Sequence, residues 1–140
     1  MRTIESSTEQ VLGGRGVSPS REATPRRVLV VDDENDIRDT LADVLTAEGY
    51  SVQTAANGLE ALDVVQRRPI DVVLVDLMMP IMDGWTFFSR VRRDPKTADL
   101  PIVAVSAMPP EAGEGFTARL RKPFDLEKLL ETMSDVCPVP

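Results

Sequence analysis

From Arg26 onward the chain alternates short β-branched runs with stretches of helical spacing, and few architectures accept that alternation. Strands joined through helices return to the same end of a sheet and therefore run parallel. The runs 27–32, 51–55, 71–75, 101–105 and 117–120 read as strands. Between the first two, Ile37, Leu41, Val44 and Leu45 line one side of a helix, and Gly49 supplies its stop. Asn57 with Glu60 three places on has the form of a capping box. It opens a helix expected to bury Leu59, Leu62 and Val65 before Pro69 ends it. Asp83 caps a third helix whose Trp85, Phe88 and Val91 share a side, stopping near Asp94-Pro95. Asp125 caps a last one, with Leu126, Leu129, Leu130 and Met133 toward the sheet. The pattern predicts an α/β fold: a doubly wound, five-stranded parallel sheet in the order 2-1-3-4-5. That order sets the ends of strands one and three side by side at the switch point, where such sheets bind ligands.

Composition narrows the classes of function. With 140 residues and 42% apolar content there is material for one core. Residues 1–25, rich in Ser, Gly and Pro and poor in large apolar side chains, are expected to form a flexible tail, and 26–137 the folded domain. A net charge of −7 without a dense Lys/Arg cluster argues against direct nucleic-acid binding. Cys137 is the single cysteine, so one chain builds neither a disulfide nor a thiolate metal site, which suits a reducing cytosol. No apolar run approaches the ~20 residues of a membrane span, and a cytoplasmic protein is expected. Histidine is absent, which removes imidazole bases and ligands altogether.

Carboxylates, hydroxyls and amines remain to do chemistry. Asp32 and Asp33 follow the first strand and Asp76 follows the third. Like charges gathered at ~4 Å repel by roughly 4 kcal/mol per pair at an effective dielectric of about 20. A divalent cation would offset that cost, and an oxygen-only pocket suits Mg²⁺. Asp76 is placed to bind such an ion through one oxygen and to attack phosphorus with the other, giving an aspartyl phosphate. Phosphoryl transfer also calls for cationic and hydroxyl donors aimed at three charged oxygens. Ser106, at the end of the fourth strand, and Lys122, just after the fifth, are the candidates. A cis Lys122-Pro123 bond would be one way to aim the ammonium inward.

Four motifs in order carry a resemblance: Val30-Val31-Asp32-Asp33-Glu34, Val75 through Gly84, Ser106-Ala107, and Lys122-Pro123-Phe124. Over about residues 26 to 136 the chain resembles a response-regulator receiver domain of two-component signalling, which has the flavodoxin-like sheet order. The resemblance implies that Asp76 accepts a phosphoryl group from a phosphohistidine on a sensor histidine kinase or a histidine phosphotransfer protein. It further implies that Asp33 and the main-chain carbonyl of Met78 join Asp76 as Mg²⁺ ligands, with Asp32 acting mainly through water. Lys122 would pair with the phosphoryl group, Ser106 would swing onto it, and binding of a downstream protein would switch.

Two departures are visible. Ser106 and Lys122 stand only 16 positions apart, and Met108 through Gly115 is rich in helix breakers, so the helix between the fourth and fifth strands is expected to be short or missing. The family's switch aromatic lies three residues before the lysine, where this chain has Arg119. A phosphorylation-independent interaction module of the same fold is the alternative. A haloacid-dehalogenase-type phosphatase shares the same groups, but Asp32-Asp33-Glu34-Asn35 lacks that family's second aspartate two places on. Other features have ordinary explanations. Met78, Met79 and Met82 read as packing, and Trp85 and Phe88 as core. Arg67-Arg68 and Arg92-Arg93 favour helix ends, and Arg119 and Arg121 guard an edge strand.

Overall fold

A computed structural model describes residues 24–109 and 115–140. Five strands, β1 (Arg27–Val31), β2 (Ser51–Ala55), β3 (Val72–Asp76), β4 (Ile102–Ser106) and β5 (Ala118–Arg121), form one parallel sheet in the order β2-β1-β3-β4-β5. Among the described residues four helices connect or close it: α1 (Asn35–Ala47), α2 (Gly58–Arg67), α3 (Gly84–Arg93) and α4 (Leu126–Val136). The expected order is the observed one, with strand ends shifted by at most a residue. Most of the expected tail, residues 1–23, lies outside the described residues.

The central strands are apolar without alternation because both faces are covered. Val28, Val30, Val72, Leu74, Val103, Val105 and Leu120 pack with α1 and α4 on one face. Leu29, Val31, Val73, Val75, Ile102 and Ala104 pack with α2 and α3 on the other. The cover on this second face runs out at β5. Leu120 points into the first core, so Arg119 and Arg121 share the opposite face, and both are exposed. An arginine-bearing face needs no apolar helix over it. Accordingly, residues 107–109 and 115–117 between β4 and β5 form no helix; 110–114 lie outside the described residues. The near end of that connection is pinned instead by Phe116. It stacks on Phe88 at 4.1 Å between ring centroids, while Arg92 lies over Phe88 and donates to the carbonyl oxygens of Leu100 and Gly115.

Three expected core residues are not core. Leu59, Trp85 and Leu126 are 54%, 41% and 50% exposed, and all three stand in the first turn of their helices. In a βαβ unit that turn begins beside the strand's C-terminal end, at the rim, where the sheet no longer lies beneath it. The buried stripes start one turn deeper, at Ala61 and Val65, Phe87 and Val91, and Leu129 and Met133. Phe88 is only partly buried, turned toward Phe116. Met79 and Met82 pack against the second core as expected, whereas Met78 is exposed at the rim.

Candidate functional site

The parallel registers carry the site. Val31 pairs with Val75, so the next residues, Asp32 and Asp76, stand side by side at the strand ends. Asp76 pairs with Val105 and Ser106 with Arg121, which sets Ser106 and Lys122 one step along the same rim. One oxygen from each of Asp32, Asp33 and Asp76 lies within 4.8 Å of the other two. The Lys122 ammonium nitrogen is 3.0 Å from Asp76 Oδ2 and 3.4 Å from Asp32 Oδ2. The Lys122-Pro123 bond is cis, as anticipated. Asp32, Asp33, Asp76 and Lys122 therefore meet, although 90 positions separate Asp32 from Lys122, while Ser106 stands on the neighbouring strand end.

Each carboxylate is held differently. Asp32 is buried, and desolvation raises its pKa, helped by the Asp76 charge. The Glu34 amide donating to Oδ1 at 2.9 Å and the Lys122 ammonium work against the shift. Asp76 is also buried; its Oδ1 accepts from the Met78 amide at 3.0 Å and its Oδ2 faces Lys122. Asp33 is exposed, and among the described residues no hydrogen bond engages its carboxylate. Burial alone would lower the pKa of Lys122, but the hydrogen bond to Asp76 and the charges of Asp32 and Asp76 outweigh it. The pKa is raised and the ammonium stays charged. Ser106 is buried, its Oγ accepting from the Met108 amide at 3.2 Å.

The donor set fits a small hard cation. One ammonium pairs with Asp32 and Asp76 while Asp33 stands beside them, so negative charge remains to be neutralised. Two oxygens on one Mg²⁺ stand no more than about 4.2 Å apart, given bonds of ~2.1 Å. The trio needs only a modest side-chain rotation to close on such an ion. Asp33, exposed and unengaged, is the member freest to make it.

Three further residues matter here: the sequence motif includes Gly84 without giving it a role, and sequence reasoning missed Gly58 and Arg38. A Cβ at Gly84 would sit 2.6 Å from the Asp76 carbonyl oxygen, and one at Gly58 would sit 2.6 Å from that of Met82. Glycine lets α3 and α2 approach the loop after Asp76 closely, and the Gly58 amide donates to Met82 O at 2.8 Å. Arg38 reaches back from α1 to donate to the Asp32 carbonyl oxygen at 2.8 Å and also to Asn35 Oδ1. A faint signal was present: a basic residue near a helix N-terminus opposes the helix dipole and needs a specific partner to hold it there.

The profile of the response regulator receiver domain matches residues 28–134. With the five-stranded order and the acidic rim in place, the chain belongs to that family, a signalling module rather than an enzyme that turns over a separate substrate. Receiver domains partner with histidine kinases. The chain is 36% identical over 110 residues to the DNA-binding dual master transcriptional regulator RpaA of Synechocystis sp., covering 74% of this chain and 46% of that protein. It thus spans about half the length of such curated relatives. Among solved structures, the chemotaxis response regulator CheY4 of Vibrio cholerae superposes with a TM-score of 0.75 at 36% identity, over 81% of this chain and 99% of that one. The response regulator TrrA of Thermotoga maritima, solved in complex with Mg²⁺ and BeF, gives 0.71 at 31% identity, over 79% and 98%. No helix among the described residues is long and apolar enough to cross a membrane.

Proposed function

We propose that residues 26–137 act as a phosphoacceptor receiver that takes a phosphoryl group from a phosphohistidine donor onto Asp76, with Mg²⁺, and thereby switches binding of a downstream protein. The donor is a sensor histidine kinase or a histidine phosphotransfer protein. One observation carries the reading: Lys122 Nζ lies 3.0 Å from Asp76 Oδ2, beside a carboxylate trio whose oxygens lie within 4.8 Å of one another.

In this reading an Asp76 carboxylate oxygen forms the new O–P bond as the donor's P–N bond breaks, and the imidazole leaves with the electron pair. Lys122, already charged and aimed at that oxygen, stabilises the charge spread over the phosphoryl oxygens. Asp33, Asp76 and the Met78 carbonyl would hold Mg²⁺, with Asp32 acting through water; when bound, the ion supplies further charge neutralisation. Ser106 would exchange its Met108 amide partner for a phosphoryl oxygen, which moves the β4–β5 connection. Similarity to TrrA, whose complex holds Mg²⁺ and BeF, supports the cation.

Incubation with acetyl phosphate and Mg²⁺ is expected to add one phosphoryl group by mass, and Asp76→Asn to abolish the addition. An unchanged mass shift in the variant removes Asp76 from the chemistry. A phosphorylation-independent interaction module draws support from Arg119, which occupies the family's aromatic switch position. Partner capture that is indifferent to beryllofluoride would favour it.

A further inference from the structure

Among the four helices of the described residues, α1 alone has no side-chain N-cap. Asn57, Asp83 and Asp125 each accept the amide three residues on at the starts of α2, α3 and α4, whereas Glu34 makes no such bond. The uncapped start is also the one that bears Asp32 and Asp33. We propose that Arg38 is a positioning residue for the cation pocket, tying the β1–α1 turn into the shape in which Asp33 and Asp32 face Asp76.

The turn is held at few points. The Asp32 amide donates to the Ala55 carbonyl at 3.2 Å, and the Glu34 amide returns to Asp32 Oδ1 at 2.9 Å. Neither contact fixes the Asp32–Asp33 peptide plane from the carbonyl side. Arg38 does so: one guanidinium nitrogen donates to the Asp32 carbonyl oxygen at 2.8 Å and another to Asn35 Oδ1. A planar fork that bridges the last residue of the turn's strand side and the first residue of the helix sets their relative orientation, as a single-point ammonium does not. Asp33 hangs from that same peptide, and no hydrogen bond among the described residues orients its carboxylate. Its direction therefore follows the main chain that Arg38 holds. The carbonyl bonded to Arg38 is also barred from turning inward to compete for the ion.

This inference rests on the Mg²⁺ reading above, and Mg²⁺ titration of the full chain by calorimetry tests the two separately. Arg38→Ala is expected to weaken Mg²⁺ binding on the order of tenfold, the range seen when groups behind metal ligands are removed. Arg38→Lys should fall between Arg38→Ala and wild type. The acetyl-phosphate labelling rate of Arg38→Ala should recover to within about twofold of wild type at saturating Mg²⁺, since the nucleophile and Lys122 are untouched. A general loss of structure would lower the saturated rate as well. A wild-type chain that binds Mg²⁺ together with an Arg38→Ala affinity within twofold of it, or a saturated rate that stays depressed, overturns the positioning role alone. A wild-type chain that binds no Mg²⁺ overturns both readings. If Arg38→Ala does not fold, Arg38→Lys is judged by the same criteria.

Discussion

The body of the sheet and its C-terminal rim are built from the same strands by opposite rules. In the body, β3 and β4 are buried along their whole length and each apolar side chain adds to stability, about 1.5–3 kcal/mol for a fully buried Val or Leu. At the rim the chain buries Asp32, Asp76 and Ser106 and brings Asp33 close, an arrangement that costs stability in the absence of a cation. Moving one residue along β1, from Val31 to Asp32, changes the sign of the contribution. Stability and the candidate site are thus separated by position along a strand, with Lys122 supplying a positive charge beside the buried carboxylates.

The most forceful way to break that comparison is to cut the body. Leu129 on α4 is fully buried, and Leu129→Ala should lose about 2–5 kcal/mol in urea unfolding while leaving Mg²⁺ affinity within about twofold of wild type. A parallel loss of Mg²⁺ affinity would show that the two regions are not separable.

A smaller effect of opposite sign is expected at the rim. Asp32→Asn keeps an acceptor for the Glu34 amide but removes a buried charge, and should raise stability by on the order of 1 kcal/mol at neutral pH while weakening Mg²⁺ binding. The pH dependence sharpens this. Desolvation raises the pKa of Asp32 in the folded state above the ordinary carboxyl value of 3.8, so the folded chain holds that proton more tightly than the unfolded one. The contribution of Asp32 to stability therefore falls as pH rises from 3.8 through the raised folded value, and the variant lacks that contribution. The gap between the two proteins should open with rising pH and close below 3.8; a gap that widens in acid would contradict the assignment. The smallest effect belongs to neither region. Arg119→Ala, on the exposed face of β5, should shift stability by no more than about 0.5 kcal/mol. A larger loss would mean that the arginine face is packed rather than open.

The legible parts of the molecule were those with local signals. Continuous apolar runs marked β1, β3 and β4, side-chain caps at Asn57, Asp83 and Asp125 marked three helix starts, and strand-terminal Asp32, Asp33, Asp76, Ser106 and Lys122 marked the site. Helix phase was less legible. Trp85, Phe88 and Val91 make as regular a stripe as Gly84, Phe87 and Val91, and only the sheet beneath α3 selects the second. The outward turn of Leu59 and Leu126 has the same origin, since a first turn at the rim has no core to meet. Gly58 and Arg38 escaped notice, and Gly84 stood in a motif without a role, because their partners are carbonyl groups brought near by the fold and no spacing rule points to them.

By itself the sequence determined the class of fold and the identity of the groups at the rim, because periodicity, caps and residue chemistry are properties of short segments; the strand order came with the doubly wound pattern that such alternation implies. The tertiary structure alone decided which side of each helix is buried, that Phe116 stacks on Phe88 just before β5, and that Arg38 grips the Asp32 carbonyl. Those outcomes depend on distances between segments far apart in the chain, which packing sets and local preference does not encode.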